Sequence, residues 1–531
     1  MLQSPQMFRR VRAARAVGIY ALGLALILPI AACETATGAG ASDAMAKTLP
    51  LGRGDLAETR ITSAISPGLS HLTIRRFPVA ATSELWVLRS PPLRSASESS
   101  TAKACLANNA ETVHKADVFA YPGRPHLTYE ILHTREFPSL EAARGAAAFA
   151  NLKACGFKPQ DLRITPRSDN GPWEINVLEI DPAEFSGRLS IDLAGGSVAG
   201  LAPVSAIAER AGARAAINGS FFVMHEADGI VGDVAGLSVL EGRVYSEPLN
   251  GRAALVIANN PKLSVSIEDA AAQVDLVLKN GTRIPVDGIN RTPGRSRNCG
   301  NDGDHPTSMA LHDVTCLDDG EIIILDEKAG FELGPSLSFR AFVDHAGLVL
   351  DHEPPDGLPE NGYLVIATGD RTEELAQALQ PGEFVEIETA FEEGDRDVFA
   401  LNGAPLLLQG GASIDRAHLE GWPLDELTPA ALADEMHQWF NLRAPRTAVG
   451  IRKDGHILFV TIDGRRGDVS VGATIDELRE VMRAMGAVDA LNLDGGGSTT
   501  LVVDGEIKNT PSDKTGPRPV ADAVLFFDRA N

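Results

Sequence analysis

The segment HILFVTIDGRRGDVSVGATIDELREVMRAMGAVDALNLDGGGSTTLVV, residues 456–503, constrains the fold of this chain more than any other. Its opening apolar, β-branched run predicts a strand that ends at Asp463-Gly464. Thr474 and Glu477 stand at capping-box spacing, and Ile475, Leu478, Val481, Met482 and Met485 recur with helical period behind them. The methionines of this helix are core residues rather than a ligand box. VDALNLD then reads as a second strand, ending at Asp494. Strand, crossover helix and strand predict a right-handed parallel unit. Both strand ends, and with them Asp463 and Asp494, are then expected on one rim, where open α/β sheets bind ligands. Gly495, Gly496 and Gly497 follow Asp494 directly, so a backbone or a ligand can approach it closely.

The rest of the chain fits an α/β (α+β) class: a mixed sheet with parallel βαβ units, plus a small N-terminal α+β module. At 531 residues the chain is too long for one ordinary core. VSAIAERAGARAAINGSFF reads as helix, turn and strand, broken at Asn218-Gly219-Ser220. FALNGAPLLLQGG places Asn402-Gly403 after or within a strand, and LVLKNGTRIPV is a hairpin turned by Asn280-Gly281. Near the N-terminus, PSLEAARGAAAFANLKACGF predicts a helix capped by Ser139 with Gly156 beyond its end. This stretch resembles the SPOR-type modules attached to bacterial envelope enzymes, which implies glycan binding or a spacer. The expected organisation is a signal segment over 1–32, a flexible tether over 33–67, the SPOR-like module over 68–165 and a second domain over 172–531.

Arg9, Arg10, Arg12 and Arg15 precede an apolar run that ends at Ile30-Ala31-Ala32-Cys33. A basic flank, a short apolar stretch and small residues make an export signal rather than a bilayer span. The final tetrapeptide resembles the lipobox of bacterial lipoproteins, which implies cleavage before Cys33 and lipid on its sulfur. An exported lipoprotein anchored in a bacterial envelope is expected. The other four cysteines are read as structural disulfides, and sequence proximity favours Cys105–Cys155 and Cys299–Cys316. With 48 basic against 71 acidic side chains the net charge is −23, which argues against nucleic-acid partners. An anionic ligand would need a local nest of arginines.

Arg446 and Arg465 flank the strand–helix–strand unit, and Arg518 follows in PSDKTGPRPV. Arginine binds phosphate bidentately, and the glycine loop with Ser498 and Thr499 offers N–H and hydroxyl donors. Two carboxylates on one rim suit acid/base or nucleophilic work on a glycosidic bond. Paired aspartates can instead hold a divalent cation such as calcium. No GxSxG, HExxH or Walker lysine motif occurs, and the twelve histidines show no metal spacing.

The blocks AAINGSFF, ALNGAPLLL, PRTAVGIRKDG, TIDGRRGDVSVGATIDELREVM, DALNLDGGGSTTLVVDGE and NTPSDKTGPRPVADAVLFF resemble, in this order, the phosphodiester glycosidase family. The resemblance runs from about Ala211 to Phe527. It implies hydrolysis of a sugar-1-phosphodiester at the anomeric carbon, giving free sugar and a phosphomonoester. The matching positions are Asn218, Gly219, Asn402, Gly403, Arg446, Thr447, Asp463, Arg465, Asn492, Asp494, Gly495, Gly496, Gly497, Ser498, Ser512, Asp513 and Arg518. From their chemistry, Asp494 is expected nearest the anomeric carbon, with Asp463 as acid/base or sugar ligand. Arg446, Arg518 and the loop N–H groups are expected on phosphate, and Asn218 and Asn492 on sugar hydroxyls. Envelope or extracellular glycans are the expected substrates. Two other readings stand beside this one: a non-catalytic envelope-glycan binding lipoprotein and a cation-dependent phosphodiesterase.

Overall fold

The computed structural model describes residues 47 to 529 apart from internal segments, the longest of them 421–436. The expected signal segment, Cys33 and Cys299 lie outside the described residues. Strands β1 (Ala57–Ser66) and β2 (Leu69–Phe77) form an antiparallel hairpin, and after an insertion the chain returns as β3 (Trp173–Ile180). Next come β4 (Arg188–Leu193), helix α1 (Val204–Ala211) and β5 (Ala215–Asn218). Gly212, left-handed at φ 68°, ends α1 where its sequence predicts a turn. After the middle of the chain come β6 (Leu406–Gln409), β7 (Arg446–Arg452) and β8 (Ile457–Ile462). Helix α2 (Ile475–Ala484), β9 (Ala487–Asn492), β10 (Leu501–Val503) and β11 (Asp522–Phe527) complete the series.

An eight-stranded sheet has the order β1-β2-β3-β8-β7-β9-β6 and ends with a short strand at Ala412–Ser413. A five-stranded sheet orders Glu506–Ile507, β10, β5, β11 and β4. The two pack face to face through Leu178, Phe459, Val449 and Leu491 on one side and Ile191, Ile217, Val524 and Phe526 on the other. Phe459 and Phe526 meet edge to face, with centroids 5.0 Å apart. Helix α2 covers the outer face of the large sheet with Ile475, Leu478, Val481 and Met482. Helix α1 covers the small sheet with Val204, Ile207 and Ala208. Helix, sheet, sheet and helix form four layers, so central strands are buried on both faces and read as continuous apolar runs.

The pairing of the strand–helix–strand unit differs from expectation. β8 and β9 run in the same direction but do not pair, because β7 lies between them, antiparallel to both. The short turn from Arg452 to His456 explains this: Arg452 N–H donates to the His456 carbonyl at 2.8 Å, with Gly455 at φ +91°. Such a hairpin seats β7 against β8 before the crossover can return, so β9 takes the far side of β7. The ends of β8 and β9 still share one rim, and the start of β7, Arg446, joins them there.

The expected organisation of the N-terminal region also changes. The tether cannot extend to residue 67, since β1 pairs with β2 and Leu49 and Leu51 are buried in the main core. β2 pairs directly with β3, which places the smaller unit as an insertion within the main sheet. That unit has four strands, Lys115–Tyr121, Arg124–Phe137, Trp86–Arg89 and Arg163–Pro166 in spatial order. Its own core centres on Leu88, Leu106, Leu132 and Phe137, while Tyr129 and Ile131 join the main core. The Ser139-capped helix spans Leu140–Gly145 and stops where Ala146 turns extended, so the expected single long helix is shorter. Cys105 and Cys155 are bonded, with Cα atoms 5.7 Å apart. The hairpin at Asn280-Gly281 is present, Gly281 lying at φ +84° between Asp275–Leu278 and Arg283–Pro285. Among the described residues no helix is long and apolar enough to cross a membrane.

Candidate active site

A cavity of about 320 Å³ opens at the shared rim. Its lining includes Asp494, Gly495, Gly496, Arg446, Arg465 and Arg518, with Met224, Trp439, Leu442, Arg443 and Ala444 completing it. Asp494 follows the last strand residue of β9 and is locked by its backbone. Its N–H donates to the Gly219 carbonyl at 3.0 Å, and its own carbonyl accepts from Asn218 Nδ2 at 2.6 Å. Gly495 N–H donates to Asp494 Oδ1 at 2.8 Å. The carboxylate is therefore fixed by both sheets at once, because Asn218 and Gly219 stand at the end of β5 in the smaller one.

The three glycines make room for guanidinium groups. A Cβ on Gly497 would lie 2.2 Å from Arg518 Nη2 and 2.4 Å from Asp513 Oδ2. Gly496, at φ +63°, lies beneath Arg465, whose Nη1 and Nη2 would stand 3.3 Å from an added Cβ. Arg518 pairs with Asp513 at 3.0 Å, which aims it over the loop. Arg465 donates no hydrogen bond among the described residues and has a left-handed backbone at φ 59°. Burial of its guanidinium, and then Arg518 beside it, lower its pKa. Arg446 is almost completely buried; its Nε donates to the Ala473 carbonyl at 2.9 Å and its Nη2 to the Trp439 carbonyl at 2.7 Å. Burial, with Arg465 as a like-charged neighbour, pulls its pKa down to about 9. Arg446, Arg465 and Arg518 crowd one opening, with Asp494 and the paired Asp513 as neighbouring carboxylates, and form a place prepared for an anion.

Asp463 stands on the same rim but does not line this cavity. Its Oδ1 accepts from Asn509 Nδ2 at 2.9 Å and its Oδ2 from the Thr510 N–H at 2.7 Å. Burial nevertheless pushes its pKa up to about 7. The expected pair of carboxylates on one cavity is thus reduced to one, Asp494, because the segment from Asn509 offers Asp463 its own donors. That segment leads into Ser512, Asp513 and Arg518, so Asp463 anchors the base of the arm that carries Arg518.

Other expected positions form the frame. Asn218 Oδ1 accepts from Thr447 Oγ1 at 2.9 Å and from the Thr500 N–H at 3.1 Å. Asn492 Nδ2 donates to the Ala404 and Leu493 carbonyls at 2.6 and 2.8 Å. Both asparagines are buried in the frame, on backbone groups and, for Asn218, the Thr447 hydroxyl, rather than on the cavity wall. Asn402 Oδ1 accepts from the Leu237 N–H at 2.7 Å, and a Cβ on Gly403 would meet the Asn492 carbonyl at 2.4 Å. The hydroxyl oxygens of Ser498 and Ser512 are buried with no hydrogen-bond partner among the described residues. Asp522, fully buried at the start of β11, accepts from the Ser220 N–H at 2.7 Å and supports the Gly219–Ser220 turn; burial pushes its pKa up to about 6. Asp522, Asn509, Met224 and Trp439 are not prominent in the sequence. The first two lie inside strand and loop patterns, and the last two in segments without periodicity. Among the described residues no group of three or more His, Cys, Asp or Glu side chains comes together as a metal site.

Comparison with known proteins agrees with this fold. Residues 340–527 match the family model described as phosphodiester glycosidase. The chain is 37% identical over 76 residues to the mouse (Mus musculus) N-acetylglucosamine-1-phosphodiester alpha-N-acetylglucosaminidase, a match covering 14% of each protein. It is also 37% identical over 81 residues to the SPbeta prophage-derived YomE of Bacillus subtilis strain 168, covering 15% of this chain and 12% of YomE. The chain therefore spans only a small part of the length of these relatives. The crystal structure of a Burkholderia pseudomallei K96243 protein named as exported matches over 91% of this chain and 98% of its own. There the TM-score is 0.74 and the identity 26%. Over residues 340–527 the chain is therefore similar to the phosphodiester glycosidase family.

Proposed function

We propose that the chain hydrolyses a sugar-1-phosphodiester at the anomeric carbon, releasing free sugar and a phosphomonoester. The observation that carries this reading is the convergence of Arg446, Arg465 and Arg518 on the cavity that Asp494 lines. Three guanidiniums over a glycine loop suit a phosphodiester and disperse charge as the phosphate leaves. Because that leaving group is stable as an anion, little acid assistance is required of the protein. One carboxylate beside the anomeric carbon, Asp494, then stabilises or attacks the oxocarbenium-like centre. Asp463 acts behind the cavity, holding Asn509 and Thr510 so that Arg518 stays in place. Asn218, Asn492, Thr447 and Asn402 hold the strand ends in register.

The protein acts outside the cytoplasm on envelope or extracellular glycans, held to the membrane by lipid on Cys33. The basic flank, the apolar run and the lipobox-like end support this, and so does the similarity to a protein named as exported. Turnover of a panel of synthetic sugar-1-phosphodiesters by wild type and Asp494→Asn tests the assignment. Wild type is expected to release reducing sugar, and the variant to lose about a thousandfold in kcat. Full activity in Asp494→Asn contradicts the role given to that residue. Binding of envelope polysaccharide with no turnover of any diester would favour a non-catalytic glycan-binding protein.

A further inference from the structure

The lining of the cavity is part polar and part apolar. Asp494, the glycine loop and three guanidiniums make the polar half, and Met224, Trp439, Leu442 and Ala444 the apolar half. The asparagines expected to meet sugar hydroxyls are buried on backbone groups, so recognition of the sugar falls to the apolar half. Trp439 is only partly buried, and its ring sits edge to face against Phe221, centroids 5.4 Å apart, with Arg252 stacked on Phe221 behind it. Met224 is 44% exposed, with its sulfur 3.9 Å from Arg518 Nη1. Arg443, the remaining charge on this side, is occupied by Glu477 at 2.8 Å. Arg446 ties the two sets of residues together: its guanidinium donates to the Trp439 and Leu442 carbonyls at 2.7 and 3.2 Å.

We propose that Trp439, with Met224, is the specificity-determining wall of the cavity, packing against the C–H face of a single terminal glycosyl residue whose phosphate rests on Arg446, Arg465 and Arg518. This deepens the phosphodiester glycosidase reading and rests on it for the position of the phosphate. A pyranose is amphipathic, polar at its rim and apolar on one face, and a partly buried indole offers that face a flat partner of matching kind. The size of the cavity argues for one sugar: about 320 Å³ lies at the small end of ligand sites, which run from roughly 300 to 1,000 Å³.

The test separates this wall from the anion grip and from catalysis. Calorimetry on the folded protein would compare inorganic phosphate with a panel of hexose 1-phosphates for wild type, Trp439→Ala, Trp439→Phe and Met224→Ala. At least one hexose 1-phosphate is expected to bind wild type about tenfold or more tighter than phosphate. Trp439→Ala should lose about tenfold of that affinity and Trp439→Phe or Met224→Ala about threefold, while phosphate binding stays within about twofold. The two milder variants supply the reading if Trp439→Ala does not fold. Equal losses for phosphate and sugar phosphate would make Trp439 a mere prop for Arg446 and overturn the proposal. So would hexose 1-phosphates that bind no tighter than phosphate, or diesters extended by a second sugar beyond the first that are turned over as fast as single-sugar ones. Tight, Trp439-dependent sugar-phosphate binding without turnover of any diester would uphold the wall and refute the hydrolytic reading.

Discussion

At the scale of single residues, the cavity is decided by what has no side chain and by what cannot pair. Gly497 is occupied from above by Arg518 and Asp513, so Gly497→Ala must displace the arm or the loop. Loss of Arg518 from the cavity is expected to lower kcat/KM by about a hundredfold, in the range for removing one charge-stabilising donor. Arg465 gives a cleaner measurement, because it donates to no other described residue. Arg465→Ala should cost about a hundredfold in kcat/KM while the melting temperature stays within about two degrees. A large drop in melting temperature would show that Arg465 supports the fold instead. Asp463 yields a pH prediction. Its folded pKa of about 7 lies above the ordinary carboxylate value of 3.8, so the fold favours its neutral form. That contribution to stability is fully present below about pH 4 and is lost as pH rises through 7. It amounts to about 4 kcal/mol, at about 1.4 kcal/mol per pKa unit. Asp522 adds in the same direction through its pKa of about 6. Melting curves from pH 4 to 8 should fall more steeply in wild type than in Asp463→Asn. The neutral form, however, gives one acceptor oxygen to its own proton and loosens its grip on Asn509 or Thr510. Activity is therefore expected to fall on the acid side of about pH 7, opposite to stability, and a flat profile there would contradict the anchoring role.

At the scale of elements, the residues were legible wherever a local pattern had one outcome. The capping box at Thr474 and Glu477 and the apolar stripe behind it gave α2 directly, and Gly212 marked the end of α1. The shared rim of Asp463 and Asp494 could also be reasoned from strand direction alone. The place of β7 could not be, because pairing order is a long-range property and periodicity is blind to it. The same limit concealed the β1–β2 hairpin: β3, the strand that joins β2 to the main sheet, lies beyond a whole inserted unit. Asp463 was misplaced by a subtler cause, since no spacing in the sequence reveals that Asn509 supplies its donors. For α2, Met482→Ala should destabilise by about 2–5 kcal/mol and Thr474→Ala by about 1 kcal/mol in denaturant unfolding. Both rest on burial and capping, so they should leave KM for the diester unchanged.

For the whole molecule, four layers bring the ends of two different sheets to one place. Asn218 from the small sheet holds the backbone of Asp494 from the large one, so the site exists only when the sheets are packed. Removing residues 47–66 takes away β1 together with Leu49 and Leu51, and should unfold the domain or lower its melting temperature by several degrees. An unaffected truncation would restore the longer tether. The proposed reaction breaks the bond between the anomeric carbon and oxygen at this rim. Hydrolysis of a sugar-1-phosphodiester in water enriched in oxygen-18, read by mass spectrometry of both products, tests it most directly. Label in the released sugar and none in the phosphomonoester is the predicted result. Label in the phosphate would mean attack at phosphorus and would contradict the account.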